Sequence, residues 1–493
     1  CAILDCCCRD ASGLQRLSDG AKSGSHGLFQ EAPSDRSDTE SRNQGLTGMP
    51  LYFCGTTSVR AHESEVADKT PALNMAIRME PRLAEIEFPP RDTEAILASL
   101  KYQATRHKPT PPPSGLAAAV QKVANMYPKS KIPTGFDEKG VNFQKLEKNV
   151  RIALALEVKR DATPGVPLVT HGATNQIIVD NLFEDVVAAT MVRLRLLIAT
   201  KHEDIRLLKP EQLVKHGFCD PIKLFVKNEG HPIDKIKTGR VRLISAEALI
   251  DQMVERVLST PQNTAEKKTW FDCPTKCGIS FTPEWNQRVW EQISARGKRA
   301  QSDISGFDWS VQEWELQADA DIRIQLNGCS TESAFARALK NRVWCLANSV
   351  FALPNGQLVA QGLPGLQKSG SFNTSPTNSR IRVLLAVLTG ASWAIAAGDD
   401  CIEEFKPGAK QRYEALGRIC KYYDVCSDDS FVFCSRQYTD GWSQPVNWLK
   451  GLFNILSSKE KRPELLADFQ RTYYECDEYV WAMMVLSCAG WGA

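Results

Sequence analysis

Residues 394 to 403 read "AIAAGDDCIE": an apolar run, a turn, and a second apolar run. The pattern fits a β-hairpin whose tip carries two adjacent carboxylates, Asp399 and Asp400, behind Gly398. Two like charges about 4 Å apart repel by about 4 kcal/mol in a medium of moderate dielectric constant. Aspartates are common in turns, so the triplet alone constrains little. It constrains a great deal if the fold brings a third acid to the same place. A fixed cluster of that kind is tolerable when a divalent cation neutralises it.

The chain has 493 residues, which suggests about three structural units. A hydrophobic content of 43% is ordinary for a globular protein. The net charge is only +2, so a nucleic-acid site would have to be a local patch. Sixteen cysteines are scattered without disulfide spacing, which suits a reducing compartment. Cys273 and Cys277 lack a second pair of ligands at zinc-site spacing. No run of 18 apolar residues occurs, so no membrane-spanning helix is expected. The sequence opens on cysteine, which suggests a cleaved polyprotein, a frameshift fusion or a fragment.

Residues 1–70 are rich in Ser, Gly, Asp and Arg, and disorder is expected there. The opening "CAILDCCCRD" reads as a polar tail carrying cysteines rather than a palmitoylation site. Order is expected from about Met75. Helices are expected at "TEAILASLKYQATRH", with Thr93 as N-cap, at "FQKLEKNVRIALALEVKRD", and as one long element at "NLFEDVVAATMVRLRLLIATKHEDIRLL". "IKLFVKNEG" and "GRVRLISA" read as strands, and "AEALIDQMVERVLS" as a helix. The last fifty residues read as helical.

Two further segments bear on the hairpin. In "SDISGFDWSVQEWELQ", Asp303 ends a strand and Asp308 lies at the turn into a helix, with Ser310 and Glu313 expected as a capping box. In "GLPGLQKSGSFNTSPTNSRIRVLLAVLTG", small polar residues run on for almost three turns, further than capping requires. Thr374 and Asn378 are four apart and share a helix face that could read a sugar hydroxyl.

Asp303-x4-Asp308, Ser369-Gly-x3-Thr374-x3-Asn378 and Gly398-Asp399-Asp400, in that order, resemble motifs A, B and C of viral RNA-dependent RNA polymerases. The wording "PGLQKSGSFNTSPTNSRIR", "FPPRDTEAILASLKYQATR" and "TPGVPL" is closer still to the sobemovirus, polerovirus and barnavirus enzymes. The resemblance implies a mixed α+β right hand. Residues 1–70 would be a tail, 71–295 the N-terminal region and fingers, 296–438 the palm, and 439–493 a helical thumb. Asp303, Asp399 and Asp400 would hold two Mg²⁺ or Mn²⁺ ions, and Asp308 and Asn378 would sense the ribose 2′-hydroxyl. Ser369 and Gly370 would form a mobile loop against template and nucleotide. Lys227, Lys235, Lys237, Arg240 and Arg242 would line the triphosphate and RNA path, the two arginines alternating on a strand. Thr163, Gly165 and Pro167 resemble the motif at the mouth of the template channel. "SFVFCSRQY" resembles the primer-grip hairpin.

One departure stands out. Related families often place a lysine, proposed as the acid that protonates pyrophosphate, after the helix that follows the hairpin; "DVCSDDS" holds none. Lys421 is the nearest candidate, and it is expected on that helix. The implied partners are an RNA template, nascent RNA, nucleoside triphosphates, a viral protein primer and other viral replication proteins. The implied location is the host cytoplasm, in replication complexes held at membranes through partners. Two other functions fit less well: a reverse transcriptase, or a non-catalytic RNA-binding scaffold.

Overall fold

A computed structural model describes residues 30–31, 50–60, 69–138 and 140–492. The mixed α+β class holds. A four-stranded antiparallel sheet runs in the order Ala394–Ala397, Asp400–Glu404, Arg299–Ile304, Cys420–Val425. The expected hairpin is therefore its edge, with Ala397 opposite Asp400. Cys401 pairs with Ser302, which brings Asp400 level with Asp303 on the neighbouring strand. The Thr374–Leu388 helix packs on the two hairpin strands. Its Val383, Leu384 and Ala386 join a core with Ala394, Ala396 and Cys401. Full burial of each larger aliphatic chain contributes about 1.5–3 kcal/mol.

A six-stranded sheet holds Ile222–Val226 and Leu243–Ala246, both foreseen, beside Val350–Ala352, Gln357–Gln361, Leu51–Thr56 and Gln30–Glu31. The disorder expected over 1–70 fails at Leu51–Thr56. Its alternating apolar residues pair with Gln357–Gln361 and bury Leu51 and Phe53. The opening cysteines lie outside the described residues. "SFVFCSRQY" forms a hairpin, Phe431–Phe433 with Arg436–Thr439, extended by Trp442–Pro445. The C-terminal helices share one core with the first described helix: Leu73 and Ala76 pack with Leu452, Phe453 and Leu486. No helix among the described residues is long and apolar enough to cross a membrane.

Several local expectations shift. Asp92, not Thr93, caps the Thr93–Ala104 helix, its carboxylate accepting from the Ala95 N–H. The capping box opening Glu313–Leu326 is Gln312 with Glu315, because Ser310 instead donates to the Phe307 carbonyl in the preceding turn. The long helix near 180–208 starts earlier, at Asn175, kinks at Leu182 and ends at Ala199, with a separate turn at His202–Ile205. The strand at "GRVRLISA" begins only at Leu243, so Arg240 and Arg242 do not alternate along it. The helix after the hairpin stops at Ala415, and Lys421 lies on the Cys420–Val425 strand. Gly417, at φ +83°, sits in the turn between them.

Candidate active site

The hairpin tip needs its glycine: Gly398 has φ +67°. Two side chains of the Thr374–Leu388 helix hold the tip from below. Ser379 Oγ accepts from the Gly398 N–H at 2.8 Å. Arg382, fully buried, donates to the Asp399 carbonyl at 3.0 Å and to Ser302 Oγ at 2.6 Å. Arg382 therefore ties the acidic turn to the strand that carries Asp303. Sequence reading missed both residues. The available signal was a polar, charged "NSRIR" inside an otherwise apolar helix.

The acids converge on one end of the sheet. Loss of hydration, then the charge of Asp399 and that of Asp303, pushes the Asp400 carboxyl up to about 6. Burial and the Asp399 charge push Asp308 up to about 6, while a hydrogen bond from Asn378 opposes the shift. That bond, Asn378 Nδ2 to Asp308 Oδ1, measures 2.7 Å. Asn378 Oδ1 is buried and has no hydrogen-bond partner among the described residues. An unpaired buried acceptor costs about 1–3 kcal/mol, and a hydroxyl donor would satisfy it. Lys421 supplies a positive charge here: its ammonium donates to Asp303 Oδ2 at 2.7 Å. Among the described residues, no three His, Cys, Asp or Glu side chains are gathered tightly enough to hold a metal. The donors are still right in kind, hard carboxylate oxygens from adjacent strands, which suit Mg²⁺ or Mn²⁺.

The loop before the helix is pinned on two sides. Ser369 Oγ accepts from the Ser245 N–H, and the Gly370 N–H donates to the Ser245 carbonyl, both at 3.0 Å. A side chain at Gly370 would collide with Ser245 and Ala246 backbone. On the other side, Glu255 Oε2 accepts from Ser371 Oγ at 2.7 Å and the Phe372 N–H at 2.9 Å. Thr374 turns its hydroxyl to the carbonyls of Lys368 and Ser371, closing the loop instead of pairing with Asn378 as a reading face. Buried Lys368 donates to Gln361 Oε1 and to the carbonyls of Gly365 and Leu366, and burial holds its ammonium well below the usual range.

The basic segment is present but paired. Arg240 meets Asp234 at 2.7 Å. Lys227, Arg242 and Lys450 all converge on Glu229, at 3.1, 3.0 and 3.0 Å. These cations hold Glu229 down to about 2 against the opposing effect of burial. Lys235 and Lys237 lie exposed on the Ile233–Lys237 helix and join no ion pair among the described residues. Thr163 and Gly165 sit at the start of the Leu249–Lys268 helix, where Leu249 N–H donates to the Pro164 carbonyl. Gly165, at φ +72°, lets the "TPGVP" turn lie against the Ala248 backbone, and Pro167 follows in the same turn. That helix carries Glu255, so the "TPGVP" turn and the Ser369–Phe372 loop share one support.

A family model described as viral RNA-directed RNA-polymerase matches residues 78–431. The chain belongs to this family. It is 39% identical over 435 residues to a replicase polyprotein P2AB of Southern cowpea mosaic virus, covering 86% of this chain and 45% of that protein. It is 33% identical over 422 residues to protein P1-P2 of Potato leafroll virus, covering 80% of this chain and 37% of that protein. It is 30% identical over 380 residues to an RNA-directed RNA polymerase of Mushroom bacilliform virus, covering 69% of this chain and 90% of that protein. The chain thus spans less than half the length of the replicase polyproteins it matches, 45% of the first. Viral RNA-directed RNA polymerases generally use divalent metal ions.

Proposed function

We propose that the chain is an RNA-directed RNA polymerase that replicates a positive-strand viral genome from nucleoside triphosphates. The observation that carries this reading is the convergence of Asp303, Asp308, Asp399 and Asp400 on one sheet end, with Asn378 bonded to Asp308. In the reaction, the 3′-hydroxyl of the growing strand attacks the α-phosphorus of a nucleoside triphosphate, and pyrophosphate leaves. Asp303, Asp399 and Asp400 would hold two divalent ions, which supply charge stabilisation at the attacking and leaving oxygens. Lys421 offsets the carboxylate charge at Asp303 in their absence. Asp308 and the unpartnered Asn378 Oδ1 read the ribose 2′-hydroxyl. Arg240, Arg242 and Lys227 meet the triphosphate, exchanging their carboxylates for phosphate. Lys235 and Lys237, exposed nearby, contact RNA backbone, and Thr163, Gly165 and Pro167 guide the template.

In this reading the sheet of residues 296–438 is the palm, 71–295 supplies the fingers and 439–493 the thumb. The N-terminal helix Pro71–Met79 completes the thumb core. The chain works in the host cytoplasm with other viral replication proteins, held at membranes through those partners. The deciding test incubates purified protein with a defined RNA, nucleoside triphosphates and Mg²⁺, with and without primer, and sequences the product ends. Extension that disappears in Asp399→Ala is expected. No template-dependent product under any primer or metal condition would overturn the reading.

A further inference from the structure

The observations reach furthest at Arg106. Resting on the polymerase reading above, we propose that Arg106 binds the triphosphate of the incoming nucleotide alongside Arg240.

The Thr93–Ala104 helix lies against the basic segment. Ser99 Oγ donates to the Val241 carbonyl at 2.8 Å. At Gly239 a side chain would come within 3.2 Å of the Ala98 carbonyl oxygen. Beyond the helix, Arg106 reaches the acidic turn. Its Nε donates to Ser305 Oγ at 3.0 Å, and Ser305 lies between Asp303 and Asp308. Gly306, at φ +56°, leaves the space that the Arg106 side chain fills; a β-carbon there would overlap Arg106 Cδ and Nε. The guanidinium also stacks over Tyr102 at 4.4 Å and donates to Gln103 Oε1.

All these contacts are neutral. Arg106 has no carboxylate partner among the described residues, whereas Arg240, Arg242, Lys227 and Lys421 each have one. Arg106 Nη2 has no hydrogen-bond partner among them either. Burial is the main influence that lowers its guanidinium from the usual range, and the charge of Arg240 acts in the same direction. A pin between helix and turn needs no charge, and a glutamine would avoid the repulsion. A cation favours a helix C-terminus, but Lys101 already occupies the last turn. Arg106, unpaired on the acidic turn, and Arg240, whose segment packs on the helix that leads to Arg106, form a receptor for a multiply charged anion. Arginine suits phosphate because its planar fork donates two parallel hydrogen bonds.

The test measures RNA extension against nucleotide concentration for the full chain, Arg106→Ala and Arg106→Lys, with melting curves for each. Arg106→Ala is expected to raise KM for nucleotide about tenfold with kcat changed less than about threefold, and Arg106→Lys to fall between. Inhibition by inorganic tripolyphosphate is expected to weaken in the same order. A folded Arg106→Ala with unchanged KM, or one losing only kcat, would overturn the proposal and leave Arg106 as a helix pin. If the parent chain extends no RNA, the polymerase reading fails. Calorimetric binding of tripolyphosphate to parent and Arg106→Ala then still decides Arg106: equal affinity or no binding sinks it.

Discussion

Two acidic layers lie a few residues apart in this molecule, and they are treated in opposite ways. At the sheet end, Asp303 is 37% exposed and meets a single exposed lysine. Asp399 and Asp400 reach solvent at the hairpin tip, although neighbouring groups strip part of the hydration from the Asp400 carboxyl. Deeper in the fold, a set of buried acids is held by arginines instead. Arg380 bonds Asp319 and Glu266, each at 2.5 Å, and Arg323 returns to Asp319 at 3.1 Å. Arg342 holds Glu247, Asp251 and Glu255 at 3.1 to 3.2 Å. Arg418 reaches Glu315 from the turn after the hairpin helix. An exposed pair contributes about 0–1 kcal/mol. Removing one partner of a buried pair costs about 3–5 kcal/mol, because the survivor is stranded. The front layer leaves its charge open to solvent, and the rear layer uses its charge to fix helix positions.

That contrast can be broken from either side. The largest effect is expected at Asp399→Ala, where RNA extension should fall by at least about a thousandfold while the melting temperature barely moves. Product formation near the parental rate would remove the front layer from the chemistry. In the rear layer, Arg380→Met should do the reverse, lowering unfolding free energy by about 3–5 kcal/mol in a urea titration. A loss below about 1 kcal/mol would mean the layer is not structural.

Asn378→Ala sits between the layers. It should lower stability by no more than about 1–3 kcal/mol and cut the preference for ribonucleotides over deoxyribonucleotides about tenfold, measured as a ratio of kcat/KM values. A preserved ratio would move sugar recognition elsewhere. The smallest effect concerns pH. The folded Asp400 carboxyl stands at about 6, above the ordinary range. Between about pH 4 and 6 the folded state binds this proton more tightly than the unfolded chain, so stability falls as pH rises through that window. With divalent ions chelated, Asp400→Asn should reduce the melting difference between pH 5 and pH 8 by about one or two degrees. An unchanged or larger difference would show that the front acids do not strain the turn.

Much of the front layer was legible in the sequence. Gly-Asp-Asp between apolar runs gave the hairpin, and the four-residue interval from Thr374 to Asn378 gave their helical spacing. The rear layer was not legible, because an arginine in an apolar helix does not reveal which acid it will meet. Capping also escaped by a residue or two, since Asp92 and Thr93, or Ser310 and Gln312, offer competing acceptors. The Leu51–Thr56 strand was lost in a polar surround. Its burial depends on Gln357–Gln361, some three hundred residues later.

The sequence by itself determined that two acids stand behind a glycine at a strand turn, with a hydroxyl- and amide-bearing helix before them. These follow from local sterics and side-chain periodicity, which act over a few residues. Only the tertiary structure decided that Lys421 faces Asp303, that Arg382 and Ser379 hold the tip, and that Arg106 lies on the turn at Ser305. Those pairings span from about twenty to two hundred residues of chain. They arise because burying the sheet and its helices leaves each buried polar group only the partners that packing brings within reach.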